Sequence, residues 1–435
     1  MRSALILGLC SSVALASPLD RFGIGASGTA RSLAYVAGAD DLYATYYNPA
    51  GLMGVKELQF GANLQINGAG LRIDMDQTPA AGREPATPES AQNGSVAFAV
   101  PLSGRLAGRA VLGALLEVPQ GLLVAARAHD SRRPHWFFYE GYPEVFVVQV
   151  ALALRLFDGL DLAIGLHNNT GLDGRIELEL DPTTNTWSRR EMDFRFLGEM
   201  APTLGLKAEA GPIHFGLVFR APLRLDFATP ADMEVEGLDA GMSLGLFGTG
   251  HVQPATLGAG LEWRGERLRV EFGAQWKQWS SVPDPSLRAV LDINGEDVDT
   301  LGLGDALDAP DGRAQPMESP KFSDVIGFGA ALSAKLPWDL GADAGYSFIP
   351  SPVPDQLHHT NFVDADRHLL GGALSWRFKD PFDLFAKPLS ISAGAQWAQM
   401  AERRTEKALG AADPVGSWTA GGHTLSVTFG LRGAL

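Results

Sequence analysis

Cysteine is almost absent. Cys10 is the single one in 435 residues. A chain this long without other thiols has no disulfide framework, no cysteine metal site and no thiol nucleophile. Long apolar runs are missing too: after the N-terminus no segment reaches the roughly 18 consecutive apolar residues that a membrane helix needs. Positive charge is scarce, with 35 Lys and Arg against 50 Asp and Glu and a net charge of −15. That argues against a nucleic-acid partner, which would want a basic face.

Catalytic and metal signatures are equally thin. No G-x-S-x-G nucleophile elbow occurs. His167 with Asn168 and Asn169 is the nearest group to a hydrolase triad, and a rim or lumen histidine is the simpler reading of it. Gly23-Ile24-Gly25-Ala26-Ser27-Gly28 fits the G-x-G-x-x-G nucleotide fingerprint but lacks the strand that must precede it. Asp292 to Asp299 has the acidity of a calcium loop, with glycine at the fourth place and not the sixth, so it reads as a solvated acidic loop. His358-His359 has no further ligand at fixed spacing. No cofactor is implied.

Residues 1–16 have the form of a signal peptide: Arg2, an apolar run from Ala4 to Leu15, and the small-x-small site Ala14-Leu15-Ala16. Cleavage there makes Ser17 the mature start and, by removing Arg2, takes the charge from −15 to −16. Leu9 before Cys10, and the apolar run continuing past it, weigh against a lipoprotein site.

What the chain does have is glycine, 51 in all, and a mean hydropathy of +0.01 in spite of its acidity. From Lys56 onward one pattern repeats. Strands of about ten residues alternate apolar with small or polar side chains, as two-faced strands must. In 212–226, Ile213, Phe215, Leu217 and Phe219 oppose His214, Gly216 and Arg220. In 266–279, Leu268, Val270, Phe272, Ala274 and Trp276 oppose Arg267, Arg269, Glu271, Gly273 and Gln275. About fourteen such segments are predicted, at 57–67, 94–102, 107–118, 144–157, 160–169, 196–209, 212–226, 252–264, 266–279, 322–335, 338–348, 367–378, 388–399 and 422–432.

The connections alternate in length. Tight turns at Ser103-Gly104-Arg105, Asp158-Gly159, Ala210-Gly211, Gly265 and Pro337 alternate with long loops. A soluble sandwich has no reason to make one end uniformly long, whereas an outer-membrane barrel has short periplasmic turns and long external loops. The expected fold is therefore all-β: a transmembrane antiparallel β-barrel of about 14 strands, residues 56–435, with residues 17–55 free to fold inside the lumen. The apolar faces meet lipid, because the opposite faces carry Arg155, Arg220, Arg224, Glu271, Lys277 and Asp343, which need water or partners. Trp263, Trp276, Trp279, Trp376 and Trp397 stand near strand ends, where interfacial girdles form.

The stretch Asp40-Asp41-Leu42-Tyr43-Ala44-Thr45-Tyr46-Tyr47-Asn48-Pro49-Ala50-Gly51-Leu52 precedes the first strand. An aspartate can cap a short helix over 42–47, Pro49 stops it at Asn48, and Gly51 permits a tight turn. Together with the Gly/Ala-rich segment before it, this stretch resembles the N-terminal hatch of the FadL/TodX-type outer-membrane hydrophobic-compound transporters. So does Asp343-Ala344-Gly345-Tyr346-Ser347-Phe348, followed by Ser351-Pro352-Val353-Pro354-Asp355 and Asp364-Ala365-Asp366-Arg367-His368.

The resemblance implies a barrel closed by the hatch. In such a barrel a fatty acid or aromatic hydrocarbon is caught by external loops, passed to the lumen and released sideways through a kinked strand. Asn48, Pro49, Ala50, Gly51 and Leu52 take the hatch or gate role. The chain departs from the family in ending at Leu435 and not in an aromatic residue, which leaves Phe429 to serve in assembly. Pro101, Pro202, Pro222 and Pro254 all interrupt strand patterns, and none stands out as the kink.

Two loops are apolar where water would be expected. Trp136, Phe137, Phe138 and Tyr139 follow the third strand; Leu238, Met242, Leu244, Leu246 and Phe247 follow the seventh. Exposed apolar patches mark binding surfaces, and the alternative is that these loops pack on each other and cap the barrel. The expected function is passive transport of hydrophobic molecules by a monomer in the outer membrane of a Gram-negative bacterium, in contact with bilayer and lipopolysaccharide. A general diffusion porin and an outer-membrane lipid hydrolase are the competing readings.

Overall fold

The computed structural model describes residues 22–80, 83–86, 88, 90–119, 133–139, 147–181, 186–235, 241–282, 288–294, 321–358, 360–381, 385 and 387–435, with backbone alone at 119, 169–181, 186–198, 225–235, 241–251, 288–294 and 411. The expected signal peptide lies outside the described residues.

The strands are β1 (Gln59–Met75), β2 (Ala91–Pro101), β3 (Ala110–Pro119), β4 (His135–Trp136), β5 (Val147–Phe157), β6 (Leu160–Asp181), β7 (Thr186–Ala210), β8 (Ile213–Arg220), β9 (Leu223–Val235) and β10 (Gly241–Gln253). They continue with β11 (Thr256–Arg264), β12 (Leu268–Lys277), β13 (Arg288–Asn294), β14 (Val325–Lys335), β15 (Leu340–Ile349), β16 (Phe362–Val363), β17 (Arg367–Phe378), β18 (Leu389–Thr405) and β19 (Trp418–Ala434). Fourteen of these pair antiparallel in succession, and β19 returns to β1 from Gln59↔Ala434 to Met75↔Trp418. Closure pairs every ring strand with a neighbour on each side, the condition for strands in hydrocarbon. β9, β10 and β13 extend the wall beyond the ring, and β4 pairs only with β16.

The alternation decides which face meets lipid. On β12, Phe272 is 62% exposed while its neighbour Glu271 is 0% exposed. Phe98, Ile164, Leu204, Leu261, Phe328, Leu374 and Phe429 likewise point outward. Trp263 and Trp376 are exposed near strand ends, joined by Trp338 on a turn, whereas Trp397 is exposed at the middle of β18. Trp279 is not part of any girdle: it lies past the end of β12, turned inward and buried in an apolar cluster.

Each of the fourteen predicted segments overlaps one ring strand, and β1, β18 and β19 run several residues beyond theirs. Tight turns cluster at one end, with Gly159 (φ +88°) and Gly211 (φ +58°) in the left-handed region that glycine tolerates. Three expectations change. β6 and β7 run on to Asp181 and back from Thr186, because the alternation Ile176, Leu178, Leu180 continues beyond the predicted strand end. The predicted strand 212–226 breaks at Ala221-Pro222, where Pro222 has no N–H to donate. The predicted apolar loop after it is a strand pair: β10 runs against β9 from Gly241↔Glu234 to Gln253↔Leu223. Met242, Leu244, Leu246 and Phe247 therefore sit on β10, whose spacing is the two-residue period of a strand; Leu238 lies outside the described residues.

A closed hydrogen-bond ladder with an apolar outer belt should give a β-rich spectrum in detergent and a gel band that shifts only on boiling. A mature chain that stays folded, monomeric and soluble without detergent would contradict this wall.

Candidate functional site

The segment from Phe22 to Val55 lies inside the barrel, and its local chemistry follows the sequence closely. Asp41 Oδ1 accepts from the Tyr43 N–H at 2.9 Å, capping the turn into the helix Ala44–Tyr47. The helix ends at Asn48, and a 3-10 turn spans Pro49–Gly54. Asn48 uses its whole amide: Oδ1 accepts from the Ala50 N–H at 3.3 Å, and Nδ2 donates to Val36 O and to Leu206 O, both at 3.0 Å. Leu206 belongs to the wall strand β7, so this residue ties two parts of the segment to each other and to the barrel. Ala50 and Leu52 are fully buried against the wall, and a Cβ at Gly51 would strike Ala39 O.

Wall glycines let the segment's backbone touch the barrel directly. A Cβ at Gly216 would meet Val36 O, at Gly260 Ala37 N, at Gly273 Leu33 O, at Gly345 or Gly371 Ala30 O, and at Gly394 Ala26 O. At Gly205 it would fall 2.6 Å from Asn48 Oδ1. These positions occupy the lumen-facing parity of seven strands.

Charge fixes the orientation. Glu271 on β12, wholly buried, accepts from three consecutive backbone N–H groups, Val36 at 2.8 Å, Ala37 at 2.7 Å and Gly38 at 2.9 Å, and from Arg31 at 2.5 Å. Successive N–H groups converging on one carboxylate form an anion nest. Glu262 lies 3.7 Å from Arg31 and 2.6 Å from Arg264. Asp40 pairs with Arg269 at 2.9 Å and Arg264 at 3.2 Å, and Asp41 pairs with Arg432. Burial pushes the Asp40 carboxyl up, but Arg269, Lys207 and Arg264 outweigh it and hold it at about 2. At Asp41 burial prevails over Arg432 and the carboxyl is raised. Tyr43 is pushed up to about 12 by burial and by the charge of Asp41. Ser27 donates to Asp343 at 2.7 Å, and Gln396 donates to Thr29 O at 2.8 Å.

On the long-loop side of this segment the lumen is filled by loops. β4 and β16 pair in parallel, Phe362↔His135 and Val363↔Trp136, with the Phe137 N–H donating to Val363 O at 3.1 Å. Around them Trp136, Phe137, Phe138, Tyr139, Trp279, Phe322 and Phe362 form one buried apolar cluster with Leu369, Met400 and Trp418 of the wall. Phe137 stands 5.1 Å from Phe322 and Phe138 5.0 Å from Trp279. Tyr139 meets Phe22 of the N-terminal segment edge-on at 6.5 Å and receives a hydrogen bond from Arg367 at 3.1 Å. The four predicted loop residues are thus brought together in an interior cap.

Between the two layers the wall changes. The last β7–β8 pair is Thr203↔Arg220, followed by the Ala221 N–H donating to Pro202 O at 3.0 Å. Beyond it, among the described residues, no ladder joins 186–201 to β9, whose far end pairs instead with β6 from Ile176↔Ala231 to Leu180↔Val235. Thr256↔Arg220 and Gln253↔Leu223 place Pro254 at the same level. Pro202, Pro222 and Pro254, which looked unremarkable separately, line up across neighbouring strands. Directly beneath, Arg220 donates to Tyr46 O and lies 4.6 Å over the Tyr46 ring.

The sequence reading missed Glu271 as an anchor, the glycine seats, the seam, and Phe22, Trp279, Phe322 and Phe362. The glycines were detectable, since they recur on the lumen parity of strand after strand. Of the predicted hydrolase group, His167 Nδ1 lies 3.0 Å from Thr203 Oγ1, and Asn168 accepts from the Val148 N–H at 2.7 Å. Asn294 ends β13, while 295–299 and His359 lie outside the described residues.

Three outcomes follow for the seated segment. Asn48→Ala leaves Leu206 O and Val36 O without this donor and should cost the seat about 1–3 kcal/mol. Arg31→Met strips a buried carboxylate of its counter-ion and should cost about 3–5 kcal/mol. In both, hydrogen exchange across 33–50 should accelerate while heat-shifted mobility persists; loss of barrel assembly would instead make these folding residues. Asp40, ordinarily at 3.8 and here at about 2, contributes stability that is present above pH 3.8 and lost as pH falls through 2. The exchange difference between wild type and Asp40→Asn should therefore be full at pH 5, much reduced at pH 2 and absent below it. A difference unchanged over that span would remove Asp40 from the anchoring network.

No protein-family model and no curated protein matches the sequence. Solved structures do. The chain superimposes on a Pseudomonas aeruginosa FadL homologue with a TM-score of 0.56 at 14% identity, covering 97% of this chain and 98% of the other. The P. putida toluene transporter TodX gives 0.55 at 13% identity, covering 95% and 99%. The Ralstonia pickettii toluene transporter TbuX gives 0.53 at 13% identity, covering 97% and 99%. These neighbours are transporters and not enzymes, and they share the architecture from end to end. The chain is a closed fourteen-stranded antiparallel β-barrel with the fold of the FadL and TodX channels.

Proposed function

We propose that this protein is a passive outer-membrane channel for hydrophobic molecules, of the fatty-acid or aromatic-hydrocarbon kind, exported to a Gram-negative outer membrane by a cleaved leader. Lipopolysaccharide obstructs apolar solutes, so a protein must shield them across it. The interior cap of Trp136, Phe137, Phe138 and Tyr139 supplies the apolar entry, and residues 22–55 act as the hatch. The supporting observation is one juxtaposition. The hatch is seated on the wall by Asn48 at Gly205 and Leu206, and three residues further along β7 the wall loses its ladder at Pro202 and Pro222. A floor that closes the lumen beside a seam that opens the wall directs an apolar solute sideways into the bilayer. A general porin would need an aqueous path past the hatch, where direct contact with the wall glycines stands against it.

The seam can be sewn shut. Extending the Thr203↔Arg220 register by two rungs puts Ala201 opposite Pro222, and the chain after the leader has no cysteine to compete. In Ala201→Cys/Pro222→Cys, oxidation should lower uptake of a hydrophobic substrate at least tenfold, and reduction should restore it. Undiminished uptake by the fully oxidised form would dismiss lateral release here.

A further inference from the structure

Below the hatch, at the tight-turn end of the barrel, the lumen opens into a cavity of about 470 Å³. In a protein of net charge −15 its lining is unexpectedly basic: Arg267, Arg269, Lys335, Arg377 and Arg432. The strand register makes this an arc and not a scatter. Arg377↔Ser390 and Ser390↔Arg432 run across β17, β18 and β19, and the Lys335 N–H donates to Arg267 O at 2.8 Å. Three acids share the lining, Glu266, Asp339 and Asp343. Asp343 is already taken by Ser27 at 2.7 Å and Ser333 at 2.5 Å.

Two of the five cations are the hatch's own anchors. Arg269 holds Asp40 at 2.9 Å and Arg432 holds Asp41. Arg267, Lys335 and Arg377 have no acidic partner among the described residues. Guanidinium forks bind planar or tetrahedral oxyanions through paired N–H groups, and several around one polar cavity do so with real affinity. An anion there draws on the same two arginines that hold the Asp40-Asp41 pair.

We infer that this vestibule is a binding site for a small oxyanion, a phosphate or a carboxylate, and that its occupant competes with Asp40 and Asp41 for Arg269 and Arg432. Anion binding then loosens the hatch from its tight-turn side. By linkage, loosening the hatch raises anion affinity by the same factor. Nothing in this depends on which compound the channel carries. A phosphate identifies the solution on that side as the source; a carboxylate identifies a transported acid.

The test uses the full-length protein in detergent at constant ionic strength. Inorganic phosphate is titrated in one arm and hexanoate in the other, with hydrogen exchange followed across residues 39–45. Saturable binding of either anion is expected, weakened at least tenfold in Lys335→Gln/Arg377→Gln, a variant that leaves both hatch-holding arginines in place and should keep its heat-shifted mobility. Saturation should accelerate exchange in the wild type severalfold. The arm that binds more tightly names the source. Absence of saturable binding in both arms, or binding untouched by the double substitution, would overturn the site. Binding without accelerated exchange would overturn the competition with the hatch.

Discussion

A carboxylate buried in a lumen wall is the constraint from which much of this architecture follows. Glu271 is inaccessible to water, and an isolated ionised group there would be prohibitively unfavourable. The N-terminal segment resolves this by presenting Arg31 and the N–H groups of Val36, Ala37 and Gly38 to it. The demand runs both ways. The backbone of 36–38, a bend outside any helix or ladder, needs an acceptor in the wall. Reaching it requires Gly216, Gly260 and Gly273, because any larger residue there would hold the chain away. Charge, backbone satisfaction and steric clearance therefore specify one seat.

The layers above follow from that seat. With the hatch fixed, Tyr46 and Asn48 form a floor beside β7 and β8, and Phe22 reaches the underside of the aromatic cap through Tyr139. The cap is held by ring contacts and a two-residue parallel pairing. Among the described residues the barrel ladder is continuous at the hatch level and interrupted above it, between β7 and β9. Laddered wall, seated floor and aromatic cap are three different kinds of structure, stacked along one lumen; on the proposed function their order sets the path of an apolar solute.

The wall was legible in the sequence because lipid on one face and polar contacts on the other impose a period of two on every strand, and because long and short connections alternate. The Asp41 cap and the stop at Asn48 were legible because both are local. The interior was not. Glu271 reads as one more polar residue on strand 266–279; only closure of the barrel brings it opposite Val36, 235 positions away. Pro202, Pro222 and Pro254 lie on different strands, and their common level is a matter of register, which a sequence pattern does not supply. Met242, Leu244 and Leu246 fall between the predicted strands 212–226 and 252–264, and only the pairing of β10 with β9 shows that their two-residue spacing is that of a strand.

On the proposed function a hatch in direct contact with the wall closes the lumen to water and ions, and the ionic conductance of single wild-type molecules in a planar lipid bilayer measures that closure directly. The prediction is a bilayer that stays silent, without steady conductance steps, while the same preparation transports a hydrophobic substrate. Large, steady, non-selective conductance from the unaltered protein would contradict it and mark the chain as an open porin.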